Sequence, residues 1–257
     1  MKEQNIQAPI SFNVLLLGDS CVDEYIYGTV DRLSPESPVP VLKQTHKESK
    51  PGMAANVKEN LESLGCNVDF ITNSEKIVKT RFIDKKSGYH LLRVDQEEST
   101  EPWNGQMPFD TEKYDSIVIS DYGKGFLDYA HIDRIRKNFT GPIFLDTKKT
   151  DLAAFTGIFV KINELEYNRS ISVNDQLIIT LGSKGAIFKS GKSEFLYPAP
   201  RVEVFDVCGA GDTFLAALSY KYLERKNIDS AIKFAVKAGS ISVMHNGNYA
   251  PTLEEIS

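Results

Sequence analysis

The 257-residue chain lacks most features that would take it out of the ordinary globular class. Its three cysteines, Cys21, Cys66 and Cys208, are odd in number and far apart, which argues against a disulfide framework and suits a reducing compartment. Four dispersed histidines (His46, His90, His131, His245) offer no ligand spacing, so no zinc site is expected. No apolar run approaches the roughly 18 residues of a membrane span. The N-terminal stretch carries Lys2, Glu3, Gln4, Asn5 and Gln7 where a secretory signal would have an apolar core. Basic residues number 30 against 35 acidic ones, giving a net charge of −5, and they form no stripe. Nucleic acid and membrane are therefore not expected partners, and the cytoplasm is the expected location. No G-x-G-x-x-G follows the first apolar run, which argues against a dinucleotide-binding oxidoreductase, since Gly18-Asp19-Ser20 is no substitute. With no internal repeat and no composition break, residues 1–257 are expected to form a single domain.

What is present is a 41% hydrophobic chain with strand and helix patterns in alternation. The run 12–17 is almost wholly apolar and ends at Gly18-Asp19, as a strand buried on both faces would. Residues 23–45 carry three prolines and short apolar groups, which reads as a flap. Apolar positions at 54, 57, 61 and 64 followed by Gly65 predict a helix, begun by a turn at Pro51-Gly52-Met53. Residues 68–71 predict a strand, and 79–83 with 90–94 a hairpin that extends the flap. Strands at 116–119, 143–145, 158–162 and 177–180 alternate with helices at 127–135 and near Leu165, which calls for a parallel sheet. Three antiparallel edge strands are expected at 186–188, 194–197 and 202–204, then two amphipathic helices whose apolar stripes cover the sheet.

The most informative stretch is Cys208-Gly209-Ala210-Gly211-Asp212-Thr213 at the start of the first of those helices. Gly209 and Gly211 let the backbone turn tightly and bring N–H groups to an anion, and the helix N-terminus adds its own orphan N–H groups and dipole. Asp212, in the first turn where a carboxylate stays ionised, is placed to act as a general base; a plain cap is the other reading. Asp19, Asp121, Asp146, Asn163 and Glu166 all follow predicted parallel strands, where an open sheet forms its ligand crevice, although each is also a common cap or turn residue. Thr180-Leu181-Gly182-Ser183-Lys184-Gly185 suits nucleotide phosphates or a simple β-turn. Asn163 and Glu166 would hold a hydrated magnesium ion through water, or cap a helix.

These residues, in this order, resemble the ribokinase-like (PfkB) carbohydrate kinases. Within that family the chain is most similar to the kinases of heptose 7-phosphate in bacterial ADP-heptose synthesis. The resemblance runs through Leu17-Gly18-Asp19, Asp23, Tyr25, Arg32-Leu33-Ser34-Pro35-Glu36, Ala54-Ala55-Asn56-Val57, Leu92-Arg93-Val94-Asp95, Ser120-Asp121-Tyr122, Asn163 to Glu166 and Asp206 to Asp212. It implies an α/β fold: a three-layer α/β/α sandwich with a mostly parallel central sheet and a small β lid, at about 24–48 and 79–95. It implies an ATP-dependent sugar kinase with Asp212 as base and the N–H groups of Gly209, Ala210, Gly211 and Asp212 as anion hole. Asp19, Asp23, Gly52, Asn56 and Asp121 would meet the sugar, and Lys79, Arg81 and Lys124 its phosphate. Lys148, Asn163, Glu166, Thr180, Gly182 and Gly185 would meet the nucleotide, with Mg2+ beside Asn163 and Glu166. A monovalent cation near Asp206 is left open.

By the same resemblance the implied substrate is D-glycero-D-manno-heptose 7-phosphate, giving the 1,7-bisphosphate, and lid strands would pair two subunits as a homodimer. The chain departs from the family in three places. Met53 replaces the second of a glycine pair, Cys208 replaces a threonine, and a helix and strand are missing between Thr72 and Lys79. No nucleotidylyltransferase domain follows, so kinase activity alone is expected. The departures motivate an alternative, a catalytically weak protein of the same fold that binds nucleotide or sugar phosphate for regulation.

Overall fold

The computed structural model describes residues 11–96, 99–107 and 110–257. Its frame is an eight-stranded sheet, and the first strand explains how the frame is covered. In β1 (Asn13–Gly18) the side chains alternate, so Val14 and Leu16 enter one hydrophobic cluster while Leu15 and Leu17 enter another on the opposite face. A strand buried on both faces needs helices on both faces, and these are present. One side holds α1 (Ala54–Ser63), α4 (Ala210–Arg225), α5 (Ile228–Ser242) and α6 (Leu253–Ile256); the other holds α2 (Tyr129–Asn138) and a 3₁₀ turn at Leu152–Phe155.

The remaining strands of the sheet are β4 (Asn67–Thr72), β7 (Ser116–Asp121), β8 (Ile143–Thr147), β9 (Phe159–Asn163), β10 (Gln176–Thr180), β11 (Ala186–Ser190) and β12 (Ser193–Tyr197), and α3 (Glu164–Arg169) follows β9. Their order is β12-β11-β10-β9-β8-β7-β1-β4, parallel from β10 to β4 and antiparallel across β10, β11 and β12. This is the expected α/β layering. The carboxyl ends of β1, β7, β8 and β9 meet along one edge, which brings Asp19, Asp121, Asp146 and Asn163 to the same side of the molecule.

The lid is a second sheet of four strands in the order β3-β2-β5-β6, formed by β2 (Ser20–Leu33), β3 (Pro40–Met53), β5 (Val78–Asp84) and β6 (His90–Gln96). It is more extensive than the proline pattern predicts. The run 51–53, expected as a turn, is the end of β3, and it feeds α1 directly through Met53, whose φ of 58° and ψ of −131° belong to glycine-like backbone. Residues 202–204, expected as an edge strand, have no strand partner and run as irregular chain toward α4. α4 is also more enclosed than an amphipathic stripe implies: all residues from Asp212 to Tyr220 are buried, because the helix lies between the sheet, α1 and α5.

β4 is the terminal strand of the large sheet, and the chain passes from it through residues 73–77 straight into the lid. Asn73 pins that short crossing, its Oδ1 accepting the Ser20 N–H at 2.7 Å and its Nδ2 donating to the Glu75 carbonyl at 2.7 Å. Among the described residues no helix is long and apolar enough to cross a membrane.

Candidate active site

α4 begins without a side-chain cap. Its N-cap is Gly209, in the left-handed region at φ 73°, where a residue with a Cβ is strained. Space gives a second reason for the glycines. A Cβ on Gly209 would lie 2.6 Å from Asn56 Nδ2 and 2.8 Å from Asn248 Oδ1, and one on Gly211 would lie 2.9 Å from Lys161 Nζ. Polar side chains from three other parts of the chain therefore close on this turn, and its first-turn N–H groups have no side-chain acceptor.

Asp212 stands at the third helical position and turns into the protein, only 3% exposed. Asn56 Nδ2 donates to its Oδ2 at 2.9 Å, and the Tyr122 hydroxyl donates to its Oδ1 at 2.7 Å. Burial pushes its pKa up to about 6; the hydrogen bonds from Asn56 and Tyr122 pull the other way, Asp146 raises it and Lys161 lowers it. The carboxylate is thus ionised near neutral pH, as its helix position implies, yet close to the range where a base can both take and return a proton.

The sugar-side expectations divide. Asp19 is buried after β1, its Oδ2 accepting the Tyr122 N–H at 2.7 Å while its Oδ1 has no partner; burial and the nearby Asp121 raise its pKa. Gly52 lies tight against Asp23 and Cys21, so no side chain fits there. Lys79, also buried, holds its ammonium 5.4 Å from the centre of the Tyr122 ring. Lys124 enters through its backbone, with its N–H 3.5 Å from Asp19 Oδ2 and its carbonyl accepting from Thr100. Arg81 and Asp23 instead form a buried ion pair at 2.5 Å, and Asn248 Nδ2 donates to the other Asp23 oxygen at 2.9 Å. Asp121 is spent on the frame: it accepts from Thr147 Oγ1 at 2.5 Å, Lys149 Nζ at 2.8 Å and the Gly123 N–H at 3.0 Å.

On the nucleotide side, Asn163 and Glu166 form a reciprocal capping box on α3, and Glu166 also pairs with Lys148. Lys148 lies 5.1 Å from the centre of the Tyr122 ring. Two oxygen-bearing side chains at one strand end suit a hydrated cation held through water. They do not form a direct cage, and among the described residues no cluster of three or more acidic, histidine or cysteine ligands exists. Gly182, at φ 57° in a short 3₁₀ turn, has open space where a Cβ would stand. Gly185, at φ 97°, must be glycine because a Cβ there would run into the Tyr197 backbone and lie 2.7 Å from Ala199 N, and Thr180 Oγ1 reaches the Ile162 carbonyl at 3.4 Å. Asp206 turns to its own loops, accepting from the N–H groups of Cys208 and Gly247 at 3.0 Å each. Burial lifts the Cys208 thiol to about 11, so it is a small packed residue and not a reactive thiolate.

Three residues given no role by sequence are central here. Tyr122 joins Asp212, Lys79 and Lys148 through one ring. Lys161 was signalled only by being a lysine between Val160 and Ile162 in an apolar strand. Asn248 ties the loop after α5 to the lid base through Asp23 and the Pro51 carbonyl, and has no local signature.

Residues 128–255 match the family profile described as pfkB family carbohydrate kinase. The bifunctional protein HldE of Hyphomonas neptunium is 32% identical over 302 aligned positions, covering 95% of this chain and 62% of that protein. The chain thus spans less than two thirds of the length of such relatives. The aligned stretch is longer than the 257-residue chain itself, so the relative carries residues there that this chain lacks. Among solved structures, ribokinase from Thermotoga maritima superposes with a TM-score of 0.70 at 16% identity, over 95% of this chain and 98% of that one. Arabidopsis thaliana ribokinase, complexed with ribose and ATP, gives 0.70 at 14% identity over 96% and 98%. At these identities the likeness is one of fold.

Proposed function

We infer the activity from one premise: this chain carries a carbohydrate kinase domain of the pfkB family with the ribokinase-like fold. On that premise we propose that it transfers the γ-phosphoryl group of ATP to a hydroxyl of a phosphorylated sugar. Heptose 7-phosphate is the first candidate, giving the 1,7-bisphosphate. The observation that carries the reading is the buried Asp212 beside an uncapped, glycine-built helix start. Asp212 takes the proton of the attacking hydroxyl, and Asn56 and Tyr122 hold its two oxygens in place for that step. The new O–P bond forms as the bond from the γ-phosphorus to the bridging oxygen breaks, with that electron pair leaving on ADP. The open N–H groups of the α4 start receive the charge that develops on the equatorial oxygens. Asn163 and Glu166 would hold magnesium through water; when bound, the ion neutralises phosphate charge.

A phosphate on the sugar is supported by Lys79, a buried cation on a lid strand whose ammonium lies over the Tyr122 ring, with Asp95 across the strand and Cys21 within its electrostatic reach. Exposed Leu92 and Val94 on the lid's outer strand β6 support the homodimer. A regulatory binding protein is the second reading, and Met53 favours it, because a side chain in glycine-like backbone joins Cys21 and Ile77 in the cluster that Tyr122 packs against, where the sugar is expected.

The test follows ADP release with ATP, magnesium and a panel of neutral and phosphorylated sugars. Sugar-dependent release is the expected result. Lys79→Ala should raise KM for the phosphorylated sugar about tenfold, a cost of about 1.4 kcal/mol, and leave a neutral sugar unchanged. Ligand binding without turnover across the panel would favour the regulatory reading, and equal losses for both sugars would remove Lys79 from the phosphate site.

A further inference from the structure

We propose that Lys161 is a further catalytic residue: its ammonium, anchored by Asp146, contacts the phosphoryl group in transit and neutralises its charge. The proposal rests on the kinase reading above.

Lys161 lies on β9 directly across from Asp146 on β8, and the two form an ion pair at 2.6 Å with side chains 5% and 8% exposed. Its strand neighbours Val160 and Ile162 are fully buried, so the lysine is the polar interruption in an apolar strand. An exposed ion pair would need no explanation. A buried one does, because two apolar side chains of the same volume would leave the fold as stable or more so.

The position of the ammonium supplies the explanation. Nζ lies 2.9 Å from where a Cβ on Gly211 would stand, so the charge rests against the bare backbone of the glycine turn, one residue before Asp212. Asp146 keeps one oxygen on the lysine, and among the described residues its Oδ1 has no hydrogen-bond partner although the residue is 6% exposed. A buried carboxylate with unused acceptor capacity indicates a polar species completing the site. The other cations of the site are differently engaged: Arg81 is paired with Asp23, Lys148 with Glu166, and Lys79 faces the Tyr122 ring from the lid. Lys161 is the cation that the fold holds against the anion hole.

During transfer the lysine keeps all its protons. It donates a hydrogen bond to an equatorial oxygen of the γ-phosphoryl group while Asp212 takes the hydroxyl proton and ADP takes the bridging electron pair. Asp146 fixes the direction of the ammonium, which a flexible side chain would otherwise lose.

The test compares wild type, Lys161→Met and the double variant Lys161→Met/Asp146→Asn. Steady-state kinetics, thermal midpoint and calorimetric binding of pyrophosphate are measured on each. Lys161→Met should lower kcat on the order of 100- to 1000-fold with little change in sugar KM, the size found for losing one preorganised donor. It should also lower the midpoint, since Asp146 loses its partner. The double variant should recover the midpoint and stay inactive, whereas a merely structural pair predicts that activity returns with stability. Turnover of Lys161→Met within threefold of wild type, or recovery of activity in the double variant, overturns the proposal. If wild type itself shows no sugar-dependent turnover, the kinase reading fails separately. Pyrophosphate binding then decides the lysine: weakened affinity in both variants supports an anion contact, and unchanged affinity rejects it.

Discussion

Two helices of this protein, α3 and α4, each carry a carboxylate at the third position, and the two carboxylates do opposite things. At α3, Glu166 folds back onto its own N-cap: it accepts the Asn163 N–H at 2.8 Å, and Asn163 Oδ1 accepts the Glu166 N–H at 2.9 Å. The helix start is closed by its own residues. At α4 the N-cap is Gly209, which has no side chain to offer, and Asp212 is turned away to Asn56 and Tyr122. This start has no side-chain cap, and its carboxylate is left to the interior. The comparison teaches that a carboxylate in a first turn is not by itself a site. What frees one for the proposed role of base is a cap that does not need it and partners from elsewhere that do.

The sharpest way to break the comparison is Asp212→Asn. Turnover should fall on the order of 1000-fold, the range for losing a general base. Stability should move the other way. Burial raises the Asp212 pKa from 3.8 to about 6, so the stability its proton lends the fold is full below about 3.8 and is lost as pH rises through about 6. At pH 8 the Asn variant should therefore melt at or above wild type in a thermal scan. A large drop in the midpoint would mean that Asp212 serves mainly as a cap.

Next in size is Gly209→Ala, which forces a Cβ into left-handed backbone and against Asn56 and Asn248. It should cost about 1–2 kcal/mol from backbone alone, read by denaturant unfolding. By shifting the open N–H groups it should also lower turnover on the order of 100-fold. A smaller effect is expected of Tyr122→Phe, which removes the donor that pulls the Asp212 pKa down. Wild-type kcat should decline as pH falls through about 6. In the variant this decline should begin at higher pH, and an unmoved profile would separate Tyr122 from the base. The smallest change belongs to the closed helix: Asn163→Ala should cost about 1 kcal/mol of stability as a lost cap. Its kcat should stay near wild type while the KM for magnesium-ATP rises, as the magnesium role proposed for Asn163 requires, and an unchanged KM would leave it a cap alone.

The frame was legible because its strands are buried on both faces and so appear as short apolar runs with turn residues behind them. β1, β7, β8, β9 and β10 all fall where those runs lie. The stretch 202–204 has the same local pattern and is not a strand, since no neighbouring strand pairs with it and β12 already ends the sheet. Within the site, Asp212 and the two glycines were readable from spacing. Asp121 was readable as a polar residue at the right sheet edge and Arg81 only through the family resemblance, but their partners Lys149 and Asp23 decide what they do. Tyr122 and Asn248 could not be found from local pattern, because their importance lies in contacts across 90 and 225 residues of chain.

By itself, then, the amino-acid sequence determined the alternation that builds a parallel sheet and the glycine turn with its carboxylate, because hydrophobic periodicity and backbone freedom act over a few residues. Only the tertiary structure decided which carboxylate is buried and held in the position of the proposed base. That choice depends on burial and on hydrogen-bond donors brought from α1 and from the end of β7, and neither exists until the sheet and its helices have assembled.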